Sequence, residues 1–322
     1  MGRSETVAGI LVALGGNALQ RAGADPSWTA ARQQLRSTVP VLAEVAREGH
    51  ELVLTHGNGP QVGALLRQNE LASSEVPPRP LDVLGAETQG QVGYLVQSEL
   101  TPALRRAGVE RSVLTVISRT EVAARDPAFR RPTKPVGRYY TEDEARTFRK
   151  RFGWAMTFDG ARGGWRRLVP SPRPVRWLEG HAVRRLLEAG LGTTWIPVVS
   201  GGGGIPVVRR ANGVYEGVEA VIDKDLAASL VARELDLDTL AIVTDVPGAA
   251  VAFGKRGERW LRDVSRSELE EWARRGEFGE GSMAPKVEAG LEFLRHGGRQ
   301  FVITDIPSLP RALRGEAGTR VT

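Results

Sequence analysis

Two lysines stand where helix electrostatics disfavours a cation. After Asp223, Lys224 and Asp225, the residues Leu226, Leu230, Val231 and Leu235 recur at helical spacing. A helix is therefore expected to begin near Asp223, whose carboxylate can cap the free amide groups. Lys224 then lies in the first turn, at the positive end of the macrodipole. Lys286 repeats the arrangement, because Gly281-Ser282-Met283-Ala284-Pro285-Lys286 opens a second helix with Val287, Leu291 and Leu294 on one face. A bound phosphate removes the objection in both places: a helix amino terminus favours anions, and an ammonium adds a point charge. For the Asp223–Asp225 triplet taken alone, a solvated lysine between two surface carboxylates is an equal reading.

Lysine is scarce here. Only five of the 44 basic residues are lysines, namely Lys134, Lys150, Lys224, Lys255 and Lys286. In so arginine-rich a chain, a remaining lysine marks a position that needs a compact ammonium rather than a planar fork. Lys150 and Lys255 lie in charged stretches that read as exposed. Lys134 sits between Pro132 and Pro135, where a restricted backbone holds the base of a flexible side chain in place.

The elements that must position these groups alternate between strand and helix. The apolar run at residues 7–14 ends in Gly15-Gly16-Asn17, and residues 51–55 end in His56-Gly57-Asn58-Gly59 with Pro60 suited to a first helical turn. Residues 195–199 run into Gly201-Gly202-Gly203-Gly204, and residues 240–243 lead to Thr244-Asp245. Each pair reads as a buried strand delivering a loop at its carboxyl end, where α/β sheets bind ligands. Four consecutive glycines carry an entropic cost that a phosphate-binding turn would explain. Neither a P-loop nor a dinucleotide fingerprint is present. Helices are expected over residues 27–48, interrupted by Pro40, and over 82–107. Ser265 with Glu268 forms a capping box, and residues 301–304 are expected to close the sheet. Between residues 119 and 174 a Pro- and Arg-rich insertion carries a hairpin, residues 154–158 and 165–169, around the turn at 159–164.

The chain has 322 residues, 41% hydrophobic and 25% charged, enough for one large α/β core or two smaller ones. No apolar run reaches the length of a membrane span and the opening one is too short for a signal peptide, which points to the cytoplasm. There is no cysteine, and the four histidines show no ligand spacing, so no protein-held metal is expected. The formal charge of +6 comes from scattered basic residues without an aromatic platform, which argues against nucleic acid.

In order, the segments LVALGGNAL, LTHGNGPQVG, GAETQGQVGYLVQ, DPAFRRPTKPVGRYYTEDEA, RRLVPSPRP, VVSGGGGIPVV, GVEAVIDKDLAA, VTDVPG, GSMAPKVEAG and AGTRV closely resemble the carbamate kinases of the amino-acid kinase family. The resemblance spans nearly the whole chain, and the segment around PTKPVG separates this branch from acetylglutamate, aspartate and uridylate kinases. It implies an α/β fold: a three-layer αβα sandwich with a mainly parallel central sheet of about eight strands and a small protruding subdomain. It also implies one domain over 1–322, with a carbamoyl phosphate half near 1–190, a nucleotide half near 191–322 and an inserted lid over 119–174.

The implied reaction is ATP plus carbamate to ADP plus carbamoyl phosphate, with Mg2+ carried by the nucleotide. It would be run by a homodimer, chiefly towards ATP in arginine breakdown. By position, Gly15, Gly16, Asn17, Gly57, Asn58 and Gly59 would bind the substrate and the transferring group. Lys134 would reach carbamoyl phosphate from the lid, and Lys224 and Lys286 would neutralise phosphate oxygens while Asp225 holds them. Gly201, Gly202, Gly203, Thr244, Asp245 and Met283 would line the nucleotide. Carbamate is already an anion, so positioning and charge stabilisation suffice without a general base. His56 then reads as a scaffold residue. The alternatives are a sister kinase acting on another small carboxylate or phosphate, and a non-catalytic nucleotide sensor; PTKPVG argues against the first and the presence of all three lysines against the second.

Overall fold

The computed structural model describes residues 8–19, 27–160, 162–189, 194–279 and 283–322. The opening apolar run becomes the strand Gly9–Leu14, in which every residue is buried. Because side chains alternate along a strand, Ile10, Val12 and Leu14 enter one core with Leu35, Leu42 and Val96. Leu11 and Ala13 enter a second core with Val231 and Leu291. A strand apolar on both faces needs helices above and below it. Trp28–Arg47 and Leu81–Arg106 cover one face, and Lys224–Glu234 and Ala284–Arg295 cover the other.

The central sheet has eight strands, in the spatial order Asp263–Val264, Thr319–Val321, Gln300–Asp305, Thr239–Thr244, Gly9–Leu14, Glu51–His56, Trp195–Val198 and Ser112–Thr115. All neighbours are parallel except Gln300–Asp305 with Thr319–Val321. The αβα sandwich expected from the sequence is thus the fold observed. Residues 301–304 do not close the sheet, however. Two further strands of three and two residues lie beyond them, too short to carry a readable alternation.

The helix Trp28–Arg47 also runs on through Pro40 rather than breaking there. Burial of Val39, Leu42, Ala43 and Val45 beside Pro40 offsets the lost backbone hydrogen bond. At Gly93 in Leu81–Arg106, an added Cβ would lie 2.2 Å from Thr115, so this glycine seats the helix on the edge strand. No helix among the described residues is long and apolar enough to cross a membrane.

The segment between residues 119 and 174 divides between two small sheets. Its outer strands, Arg119–Val122 and Pro174–Trp177, join Ile205–Arg209 and Tyr215–Gly217 in a four-stranded sheet. Between them lies a three-stranded sheet ordered Lys134–Tyr140, Gly164–Val169, Ala155–Asp159, in which the last two form the expected hairpin. Ala161 of its turn lies outside the described residues. The helix Glu142–Phe152, missed in the sequence, carries a complete capping box between Thr141 and Glu144 and ends at Gly153 with φ +66°. Arg138 ties this unit together through Glu144 at 2.6 Å. Glu70, on the helix Gly59–Ala72, accepts from Tyr140 and Arg138 and so joins it to the main body.

Candidate active site

Gly15-Gly16, Gly57–Gly59, Gly201–Gly204 and Thr244-Asp245 are far apart in sequence. The strands they follow are nevertheless four consecutive neighbours in the sheet, all pointing the same way. Parallel pairing therefore delivers the four loops to one edge. A cavity of about 360 Å³ opens there, lined by Gly16, Gly57–Gly59, Gly201, Gly202, Lys134, Lys224, Asp225 and Lys286. A smaller one of about 150 Å³ is lined by Gly15, Gly16, Lys224, Thr244, Asp245 and Lys286. Gly16, Lys224 and Lys286 face both.

Two adjacent carboxylates organise three lysines. Asp225 is 3% exposed, and its two oxygens accept from the ammonium groups of Lys224 and, at 3.2 Å, Lys286. Asp223 caps the helix as expected, with Oδ1 accepting the Asp225 amide at 2.9 Å. Its Oδ2 takes Lys134 Nζ at 2.7 Å. Burial pushes the Asp223 carboxyl up, but the Lys134 charge and hydrogen bond, the Asp225 amide and Lys224 outweigh it. The net value lies below the ordinary carboxylate range. Lys224 and Lys286 occupy the first turns of Lys224–Glu234 and Ala284–Arg295, so the carboxylates of Asp223 and Asp225 compensate two cations at positive helix ends. The remaining lysines, Lys150 and Lys255, are exposed.

The glycine loops are close-packed rather than flexible. Gly202 has φ +66°, and a Cβ there would lie 2.2 Å from Asn58 Nδ2, which itself donates to Thr88 Oγ1 at 2.8 Å. A Cβ on Gly201 would lie 2.4 Å from the His56 ring. His56 is fully buried, and its Nδ1 donates to the Gly57 carbonyl at 3.0 Å. Desolvation lowers its pKa from 6.5 to about 4, against that hydrogen bond, so the ring is neutral near pH 7 and pins two loops together.

The folded pKa of His56 lies below the free value, so the unfolded chain takes up the proton first. Stability is present above pH 6.5 and is lost as pH falls towards 4. The expected loss across that window is about 3 kcal/mol. Urea unfolding at several pH values should show this slope in the natural chain and a shallower one in His56→Gln. Equal slopes would assign the pH dependence elsewhere.

Not every expected site residue reaches the cavities. Gly203 is buried behind its loop, where a Cβ would meet the Ile222 carbonyl at 2.7 Å. Met283 packs partly buried against the core and lines neither cavity. The Asn17 side chain, Gly281 and Ser282 lie outside the described residues. The second role of Asp223, as anchor of Lys134, and the presence of Arg166 in the larger cavity were missed in the sequence. A roomier cleft, about 670 Å³, lies between the helices Gly59–Ala72 and Glu142–Phe152. It holds none of the lysines, and its Glu70 and Glu219 are ion-paired to arginines.

The amino acid kinase family pattern matches residues 9–305. The chain belongs to the amino acid kinase family. It is 45% identical over 315 residues to a carbamate kinase of Pyrococcus horikoshii, covering 97% of this chain and 98% of that protein. Against the structure of a carbamate kinase from Giardia lamblia bound to AMP-PNP, the TM-score is 0.90 at 38% identity, with 98% of both chains covered. A structure from Aeropyrum pernix gives 0.91 at 43% identity, covering 97% of this chain and 99% of that one. The resemblance to carbamate kinases read from the motifs is thus borne out across nearly the full chain.

Proposed function

We propose that the chain is a carbamate kinase, transferring a phosphoryl group reversibly between ATP and carbamate, with ADP and carbamoyl phosphate as the other pair. The observation that carries this is the pair Lys224 and Lys286, joined through Asp225 and lining both cavities. An in-line transfer needs a donor on one side, an acceptor on the other and fixed positive charge where they meet. The kinship with carbamate kinases names the acceptor, and the Giardia relative's complex with AMP-PNP supports a nucleotide in one of the cavities.

In this reading Lys224 and Lys286 hold the transferring oxygens and Asp225 orients both ammonium groups. The backbone amides of Gly15, Gly16 and Gly59 add donors, as does Asn58 with its side chain, while Gly57, whose amide donates to the Leu14 carbonyl at 3.0 Å, lines the cavity without offering one. Thr244-Asp245, in the smaller cavity, takes the nucleotide side, and Lys134 approaches carbamoyl phosphate from the inserted unit in the larger one, where Gly201 and Gly202 lie beside it rather than with Thr244-Asp245. We assign residues 1–190 to the carbamoyl phosphate half, 191–322 to the nucleotide half and 119–174 to a lid. Mg2+ would be carried by the nucleotide phosphates with at most one or two carboxylates, such as Asp245 in the smaller cavity. When bound, the ion would neutralise phosphate charge. A cytoplasmic homodimer making ATP in arginine breakdown belongs to the same proposal. Tyr94, 63% exposed and stacked on Trp28 at 6.0 Å, supplies a candidate contact surface, and sedimentation at twice the chain mass would support the dimer.

The test is ATP formation from ADP, Mg2+ and carbamoyl phosphate, with acetyl phosphate as control. The natural chain is expected to use carbamoyl phosphate and not the control, and no ATP from either donor would reject the reaction. Lys134→Ala should lose about 100-fold in kcat/KM for carbamoyl phosphate while KM for ADP stays within about twofold. An equal loss for ADP would remove Lys134 from the carbamoyl side.

A further inference from the structure

Arg166 lies on the strand Gly164–Val169 and lines the same cavity as Lys134, Gly57 and Asn58. Two neighbouring arginines of the inserted unit are committed. Arg138 is paired with Glu144, and Arg167 is paired with Glu219 at 2.9 Å and lies over Trp154. The Arg166 side chain has no ion pair or hydrogen bond among the described residues, and its buried Nε has no acceptor.

The side chain is nevertheless held. Its guanidinium sits 4.8 Å from the centre of the Tyr139 ring, and the Tyr139 hydroxyl donates to Asp159 at 2.9 Å. Gly164 leaves room for that ring, since a Cβ there would lie 2.9 Å from it. A buried donor without an acceptor is destabilising, and an arginine fixed by stacking loses little further freedom when it binds. A platform that holds a cation in the cavity and leaves its donors unused is built for an anion.

We infer that Arg166 is a substrate-binding residue that, with Lys134, grips carbamate or carbamoyl phosphate rather than the nucleotide. This rests on the proposed reaction. The two cations differ in kind: Lys134 offers a point charge, whereas Arg166 offers a planar fork that matches two oxygens of a carboxylate or phosphate. Together they distinguish a small anion from a neutral molecule of the same size.

The experiment is the KM for each substrate in Arg166→Gln and Arg166→Lys, with thermal unfolding alongside. KM for carbamoyl phosphate should rise about tenfold or more in Arg166→Gln, equivalent to about 1.4 kcal/mol, and less in Arg166→Lys. KM for ADP should stay within about twofold, at an unchanged unfolding midpoint. A parallel rise for ADP, or an unchanged KM for carbamoyl phosphate, overturns the inference. So does a fall in midpoint without a change in KM. If Arg166→Gln does not fold, Arg166→Lys decides by the same criteria. Calorimetry with inorganic phosphate separates this inference from the reaction itself. Weaker phosphate binding in Arg166→Gln, in a protein without carbamoyl phosphate turnover, supports the anion site while rejecting the reaction. Unchanged phosphate affinity in that protein overturns the site too.

Discussion

Asp225→Ala is expected to unfold at a markedly lower urea concentration than the natural chain and to lose about 100-fold or more in turnover. Asp225 is nearly inaccessible to water and stands between the ammonium groups of Lys224 and Lys286, whose side chains are 19% and 13% exposed. Removing it leaves two like charges without the group that compensates them. Deleting one member of a buried ion cluster costs about 3–5 kcal/mol. Turnover falls for a related reason, because the lysines lose the common acceptor that aims them at one point. Inorganic phosphate should restore part of the lost stability, since a bound anion replaces the missing charge, and Asp225→Asn should lose less. A destabilisation below about 1 kcal/mol would mean that the lysines find other partners.

Lys224→Ala should divide activity from stability. Lys224 lines both cavities and stands at the first position of its helix. Its loss removes fixed charge from the point where donor and acceptor meet, and turnover is expected to fall about 1,000-fold. Stability should fall by less than in Asp225→Ala, because Asp225 keeps one ammonium partner, alanine is the better helix former and the positive helix end sheds a cation. Asp225 keeps Lys286 at 3.2 Å. Steady-state kinetics beside urea unfolding reads both quantities. A variant retaining more than about a tenth of the natural turnover would show that Lys224 lies outside the reaction path.

Several features were legible because their causes are local. The all-apolar run before Gly15 announced a strand buried on both faces, and the structure places it at the middle of the sheet. Asp223 announced a cap three residues before Leu226, and it is one. Lysine scarcity drew attention to Lys134, Lys224 and Lys286, all of which line one cavity. The helix Glu142–Phe152 was missed although Thr141, Glu144 and Gly153 mark its ends, because the prolines and arginines around it obscured the signal. Thr319–Val321 was not legible, since three residues carry no period.

The alternation of strand and helix, the glycine loops and the identity of the cations are written in local sequence. Those depend on propensity, capping and side-chain period, which act over a few residues. Which charges meet is set by the folded arrangement. Lys134 reaches Asp223 across 89 positions and Lys286 reaches Asp225 across 61. Those meetings, the neutral state of His56 and an Arg166 guanidinium unpaired among the described residues follow from strand order and burial. Neither is encoded in any short stretch, because parallel neighbours are joined by long crossovers that carry no local signal of their final place.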